Sequence, residues 1–116
     1  MAYVDGFLVP VPEGKLEEYR KMAELGRQVW MEHGALQYVE AVADDVPHGH
    51  TTDFYRAVKH EEGETVVFAY IVYRSREHRD EVNKKVMADP RMKEPESMPF
   101  DGKRMMFGGF KVIVEG

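Results

Sequence analysis

The chain has 116 residues, room for one domain built around one core. Hydrophobic residues make up 43% and charged residues 32%, the balance of a soluble globular protein, and a net charge of −5 argues against nucleic acid as the main partner. Cysteine is absent, which excludes disulfides, thiolate nucleophiles and cysteine-based zinc sites.

The N-terminal stretch Met1-Ala2-Tyr3-Val4-Asp5 has no basic region of the kind a signal peptide carries. No apolar run approaches the roughly 18 residues of a membrane helix. A cytoplasmic protein without a membrane partner is therefore expected. Tyr3 to Val11 reads as the first strand, closed by Pro10 and Pro12. A helix follows from about Lys15 to His33. Leu16, Tyr19, Met22, Ala23, Gly26, Val29, Trp30 and His33 recur at steps of one helix face, and Gly34 suits a left-handed C-terminal cap. Ala35 to Val42 is the second strand.

Asp44 to His50 is a polar loop, and Asp53 to Lys59 reads as a further extended segment, with a helical turn as the alternative. Glu61 to Glu64 forms a turn into Val66-Val67-Phe68-Ala69-Tyr70-Ile71-Val72-Tyr73. That run is short, β-branched and aromatic, which marks a strand buried on both faces. Ser75 is placed to cap a second helix, about Arg76 to Ala88, whose inner stripe is His78, Val82 and Val86, with Met87 beside it. Pro90 ends it. Arg91 to Lys103 is a long connection. Met105 to Glu115 is the last strand, where Gly108-Gly109 implies a bulge or a close backbone approach.

Strand–helix–strand thus occurs twice, with an extra arm between. This predicts a single α+β domain over residues 1–116, a ferredoxin-like split βαβ with an antiparallel sheet and two helices on one face. In the apolar run, Val67, Ala69, Ile71 and Tyr73 point one way and Val66, Phe68, Tyr70 and Val72 the other. Helices cover one of those faces. A second copy of the chain is expected to cover the other, giving a C2 homodimer that closes as a dimeric α/β barrel.

Several motifs, in order, carry a resemblance: Tyr3-Val4-Asp5-Gly6-Phe7, Asp44-Asp45-Val46-Pro47, Thr52-Asp53-Phe54, Glu64-Thr65-Val66-Val67-Phe68, Met87-Ala88-Asp89-Pro90-Arg91-Met92 and Met98-Pro99-Phe100-Asp101-Gly102-Lys103-Arg104-Met105. Together they make the chain similar to the YbaA-like bacterial family nearly end to end. The resemblance implies a branch of the dimeric α/β-barrel superfamily. That superfamily includes cofactor-independent monooxygenases, haem-handling enzymes and small lactone or muconate enzymes. The family's function is unknown, so the resemblance assigns no catalytic residue.

Candidate site residues come from chemistry and placement. Asp5 shares a strand face with Tyr3, Phe7, Val9 and Val11. A carboxylate there needs a cation, for which Arg56, Arg74 and Arg104 are available, or it serves as a general base; the alternative is a bulge in which it caps backbone N–H groups. His33, at the inner edge of the first helix, is a second candidate base, or a half-buried histidine bonded to a carbonyl. His78 is a weaker candidate, or simply a helix-start residue. Tyr38, Glu40, Tyr70 and Tyr73, with Arg56, are the ligand-binding candidates; as core aromatics the tyrosines need only a partner for each hydroxyl.

His48 and His50, flanked by Asp44, Asp45 and Asp53, have the ligand types of a Zn²⁺, Ni²⁺ or Cu²⁺ site, and equally those of a solvated loop. No Walker loop, dinucleotide fingerprint, nucleophile elbow or HExxH is present, and no cofactor is expected. The leading expectation is a homodimer that binds a small apolar or aromatic ligand between sheet and helices. The alternatives are a cofactor-independent monooxygenase or isomerase, and a metal-binding protein using the Asp44–His50 loop.

Overall fold

A computed structural model describes residues 2–93 and 98–116. Its elements are β1 (Tyr3–Pro12), α1 (Leu16–Glu32), β2 (Gln37–Val42), α2 (Phe54–Ala57), β3 (Glu64–Tyr73), α3 (Arg76–Met87) and β4 (Met106–Lys111). Short 3₁₀ turns at Glu13–Lys15 and Pro90–Met92 lead into α1 and follow α3. The protein is an α+β fold with a four-stranded antiparallel sheet in the order β2-β3-β1-β4. β1 and β2 are each antiparallel to β3, so they run parallel with β3 between them. The same holds for β3 and β4 across β1. Each of the two strand–helix–strand units therefore straddles a central strand of the sheet.

Register decides which side chains meet the helices. Tyr3, Asp5, Phe7 and Val9 pair with Tyr73, Ile71, Ala69 and Val67, and this face carries α1 and α3. Tyr3, Ile71 and Tyr73 pack with Val29 of α1 and Val82 and Val86 of α3. A second cluster joins Val9, Val11 and Val67 to Tyr19 and Ala23. The helix stripes predicted by periodicity are thus the buried ones, except that Met87 is 68% exposed. Gly34 ends α1 at φ +113°, the left-handed cap. Ser75 caps α3 by accepting from the His78 N–H at 3.1 Å.

Val4, Leu8, Phe68, Tyr70, Val72, Met106 and Phe110 project from the opposite face of the sheet. α1 and α3 lie on the other side, and only the short α2 touches this face, through Phe54 beside Phe68; Phe68 is still 47% exposed and Phe110 63%. The molecule is only 21 Å thick, one sheet and one helix layer.

Three expectations about elements are corrected. The Asp53–Lys59 segment is a helical turn, because the Asp53 carboxylate accepts from the Arg56 N–H at 2.7 Å and caps α2. There is accordingly no extra strand arm. The last strand stops at Lys111 rather than running to Glu115, and Ile113 and Val114 lie 84% and 85% exposed. β2 begins at Gln37, since Ala35 still bonds back to the Trp30 carbonyl of α1. β4 pairs only with Tyr3–Leu8, so Pro10 and Pro12 fall where β1 has no β4 neighbour.

Candidate functional site

A cavity of about 620 Å³ lies between the sheet and the two helices. Its floor is the helix-facing side of the sheet: Asp5, Phe7 and Val9 of β1, Tyr38 and Glu40 of β2, Ala69 and Ile71 of β3. One wall comes from α1 through Tyr19, Met22, Gly26 and Trp30. The other comes from α3 through Arg79, Asn83 and Met87, an i, i+4, i+8 row beside the buried stripe. Met92, Lys93, Met98, Phe100 and Met105 line the mouth. The lining is chiefly apolar and aromatic, with a few polar groups set into it.

The first polar group is a buried ion pair. Asp5 is 6% exposed, and its Oδ1 accepts from Arg79 Nη1 at 2.6 Å. The Arg79 guanidinium lies 5.0 Å above the Tyr3 ring, and its Nε donates to Asp80 at 2.8 Å. Gly109 opposite Asp5 makes this possible. A Cβ there would come within 2.9 Å of Arg79 Nη1 and closer still to the Tyr3 hydroxyl. Gly108-Gly109 is thus the close backbone approach that the sequence allowed, and the strand pairs through it without a bulge.

The second group is built on Glu40. Tyr19 donates to its Oε1 at 2.6 Å, and Tyr38 donates to its Oε2 at 2.7 Å. Burial, reinforced by the Glu40 charge, pushes both phenols well above the ordinary tyrosine range, so both remain protonated donors. A third group is Asn83, whose Oδ1 accepts from Trp30 Nε1 at 3.1 Å and from the Tyr73 hydroxyl at 3.2 Å.

The sequence-derived candidates therefore divide. Asp5, Tyr38 and Glu40 come together at the cavity. The partner of Asp5 is Arg79 rather than Arg56, Arg74 or Arg104. Arg104 is held at 2.6 Å by Glu64. Arg56 lies on α2 and donates to the Gly49 and His50 carbonyls. Tyr70 is on the outer sheet face, while Tyr73 points inward but is fully buried behind Asn83.

His33 stands apart from the cavity lining; its Nε2 lies 2.9 Å from Asp89 Oδ2. His78 is a helix-start residue whose Nδ1 accepts from the Arg74 N–H. The His48 ring packs on Tyr55, with Nδ1 3.7 Å from Asp53, and His50 is exposed. Among the described residues, no three histidine or carboxylate groups converge to hold a metal ion. Arg79, Asn83 and Trp30 were not among the sequence candidates, although the i+4 row on α3 was open to reading.

Asp89 also ties the mouth down. It accepts from Arg91 as well as contacting His33, and Arg91 reaches Glu32 of α1 at 2.6 Å. Hydrogen bonds from Arg91 and His33 hold the Asp89 carboxyl well below the usual carboxylate range. A depressed folded-state value means stability that is present above the unfolded value, near pH ~3.9, and lost as pH falls through the folded one. Urea unfolding of the wild type and of Asp89→Asn should therefore differ most near neutrality, with the gap narrowing steadily below about pH 4. A gap independent of pH would show that the charge contributes nothing.

Fold and cavity together describe an α+β protein with a mostly apolar chamber between sheet and helices. The chain belongs to the family described as "Protein of unknown function (DUF1428)", whose model matches residues 2–102. It is 57% identical over 116 residues to "Uncharacterized protein YbaA" of Escherichia coli (strain K12), with 99% of each chain covered. It has the same identity and coverage with the protein of that name from Shigella flexneri. Among solved structures, "De novo designed protein Foldit4" aligns with a TM-score of 0.47 at 11% identity, covering 97% of this chain and 99% of that one. No helix among the described residues is long and apolar enough to cross a membrane.

Proposed function

We propose that the protein is a homodimer, a ferredoxin-like dimeric α/β barrel, that binds a small apolar or aromatic molecule in the cavity of each protomer. The cavity carries this reading: about 620 Å³, within the range of small-molecule sites, with an apolar lining and a few inward polar groups. The dimer is supported by the apolar sheet face that α1 and α3 leave open, whose plan area is roughly 400 Å² for four strands of six residues. A shallower apolar hollow of about 160 Å³, formed by Ala41, Val42, Val46, Phe54, Val66 and Phe68, adjoins that face.

Binding is favoured over base catalysis by the state of the candidate bases. Asp5 is committed to Arg79, His33 is outside the cavity lining, and burial keeps Tyr19 and Tyr38 protonated.

Trp30 is the sole tryptophan and lines the cavity, so its emission reports occupancy. Titration with phenylbutanol should change that emission saturably, and Ala69→Phe, which fills the floor without adding a second tryptophan, should abolish the response. A response that is linear in ligand, or the same in both proteins, would defeat the proposal.

A further inference from the structure

We propose that the cavity's ligand ends in a protonated amine that ion-pairs with Glu40. The inference rests on the cavity reading and adds the chemical class of the ligand.

Glu40 is a half-buried carboxylate set among aromatic rings. Each oxygen accepts one phenol hydroxyl and has acceptor capacity left for a further donor. The two phenols fix the orientation of the carboxylate and, being unable to ionise near neutral pH, never compete with it for a cation.

The charges around the cavity single out Glu40. The floor's other acid, Asp5, is matched by Arg79 at 2.6 Å. Arg91 is matched by Glu32 and Asp89. Among the described residues, Glu40 has phenol partners but no cation in an ion pair with it. A carboxylate in an apolar cavity with no cation within ion-pair distance favours a cation brought in by the ligand.

The clamp is also a built feature. Gly26 lies in the middle of α1, where glycine is a poorer helix former than alanine. A Cβ at that position would stand 2.8 Å from the Tyr38 hydroxyl oxygen, so the glycine makes room for the group that holds Glu40. Both clamp phenols belong to aromatic pairs: Tyr38 lies 6.1 Å from Trp30, and Tyr19 lies 5.7 Å from Phe100. Ring faces beside a carboxylate favour an ammonium over a neutral or anionic head.

The test uses phenylbutylamine, phenylbutanol and phenylbutanoate, which share one skeleton, in calorimetry and Trp30 fluorescence near neutral pH. A charge-assisted contact predicts that the amine binds at least about tenfold more tightly than the alcohol to the wild type. In Glu40→Gln, which keeps the shape and an acceptor, the preference should fall to about twofold or less while alcohol binding persists. The wild-type comparison stands by itself if that variant does not fold.

Equal affinity for amine and alcohol overturns the inference and leaves the cavity reading intact. Tightest binding of phenylbutanoate also overturns it, and assigns recognition to Lys93 or Arg79 instead. Failure of all three probes to bind removes the cavity reading itself and this inference with it.

Discussion

Phe68→Asp should turn the proposed dimer into a folded monomer. Phe68 sits near the middle of β3 on the face away from α1 and α3, and its ring meets Phe54 of α2 and Tyr70 edge-on. At 47% exposure in the single chain, an aspartate there would be solvated and the fold kept. In a C2 pairing of two such faces, one substitution places two carboxylates in the interface, with no cation supplied to either. Removing both from water costs several kcal/mol, so the dissociation constant should rise by about a thousandfold or more. Sedimentation equilibrium on wild type and variant measures this, with circular dichroism checking the fold. A wild type already monomeric at micromolar concentration would rule out the dimer.

Asp5→Ala should cost the protomer much of its stability. The pair it breaks is buried on both sides, with side-chain exposures of 9% for Asp5 and 18% for Arg79. Losing one member of such a pair leaves the other charge stranded. Asp80 still holds Arg79 Nε, which places the cost at the lower end of the usual range, about 3 kcal/mol. The double variant Asp5→Leu/Arg79→Leu should recover most of that loss, because well-packed apolar residues replace a buried pair at little cost. Urea unfolding of Asp5→Leu, Arg79→Leu and the double variant closes the cycle. A cost under about 1 kcal/mol for Asp5→Ala would put the pair in the class of exposed salt bridges.

What could be read from the sequence was local. The β3 run, the α1 and α3 stripes and the caps at Gly34 and Ser75 depend on residues within a few positions of one another, and the structure has all of them. The Asp53 cap obeys the same rule as Ser75. It was passed over because Phe54, Tyr55 and Val58 suggest a strand by composition alone.

The site was harder to read because its contacts are distant in sequence. Asp5 and Arg79 stand 74 positions apart, and nothing local separates Arg79 from three other arginines of equal charge. One misplacement was avoidable from strand geometry. Tyr70 and Tyr73 are an odd number of residues apart on one strand, so they face opposite sides and cannot line one cavity. Tyr38 and Glu40, two apart, share a side, and the structure brings both to the chamber.

The mismatch between β1 and β4 has a consequence for solubility. β1 continues through Val9-Pro10-Val11-Pro12 after β4 has ended at its pairing with Leu8. A stretch of backbone open on one side is a template on which another chain can add a strand. Two of its four residues are prolines, which have no N–H to offer. Phe100 and Met105 pack against the same cluster as Val9 and Val11. The open margin is thus blunted by its own composition, so growth of the sheet into aggregates is disfavoured there.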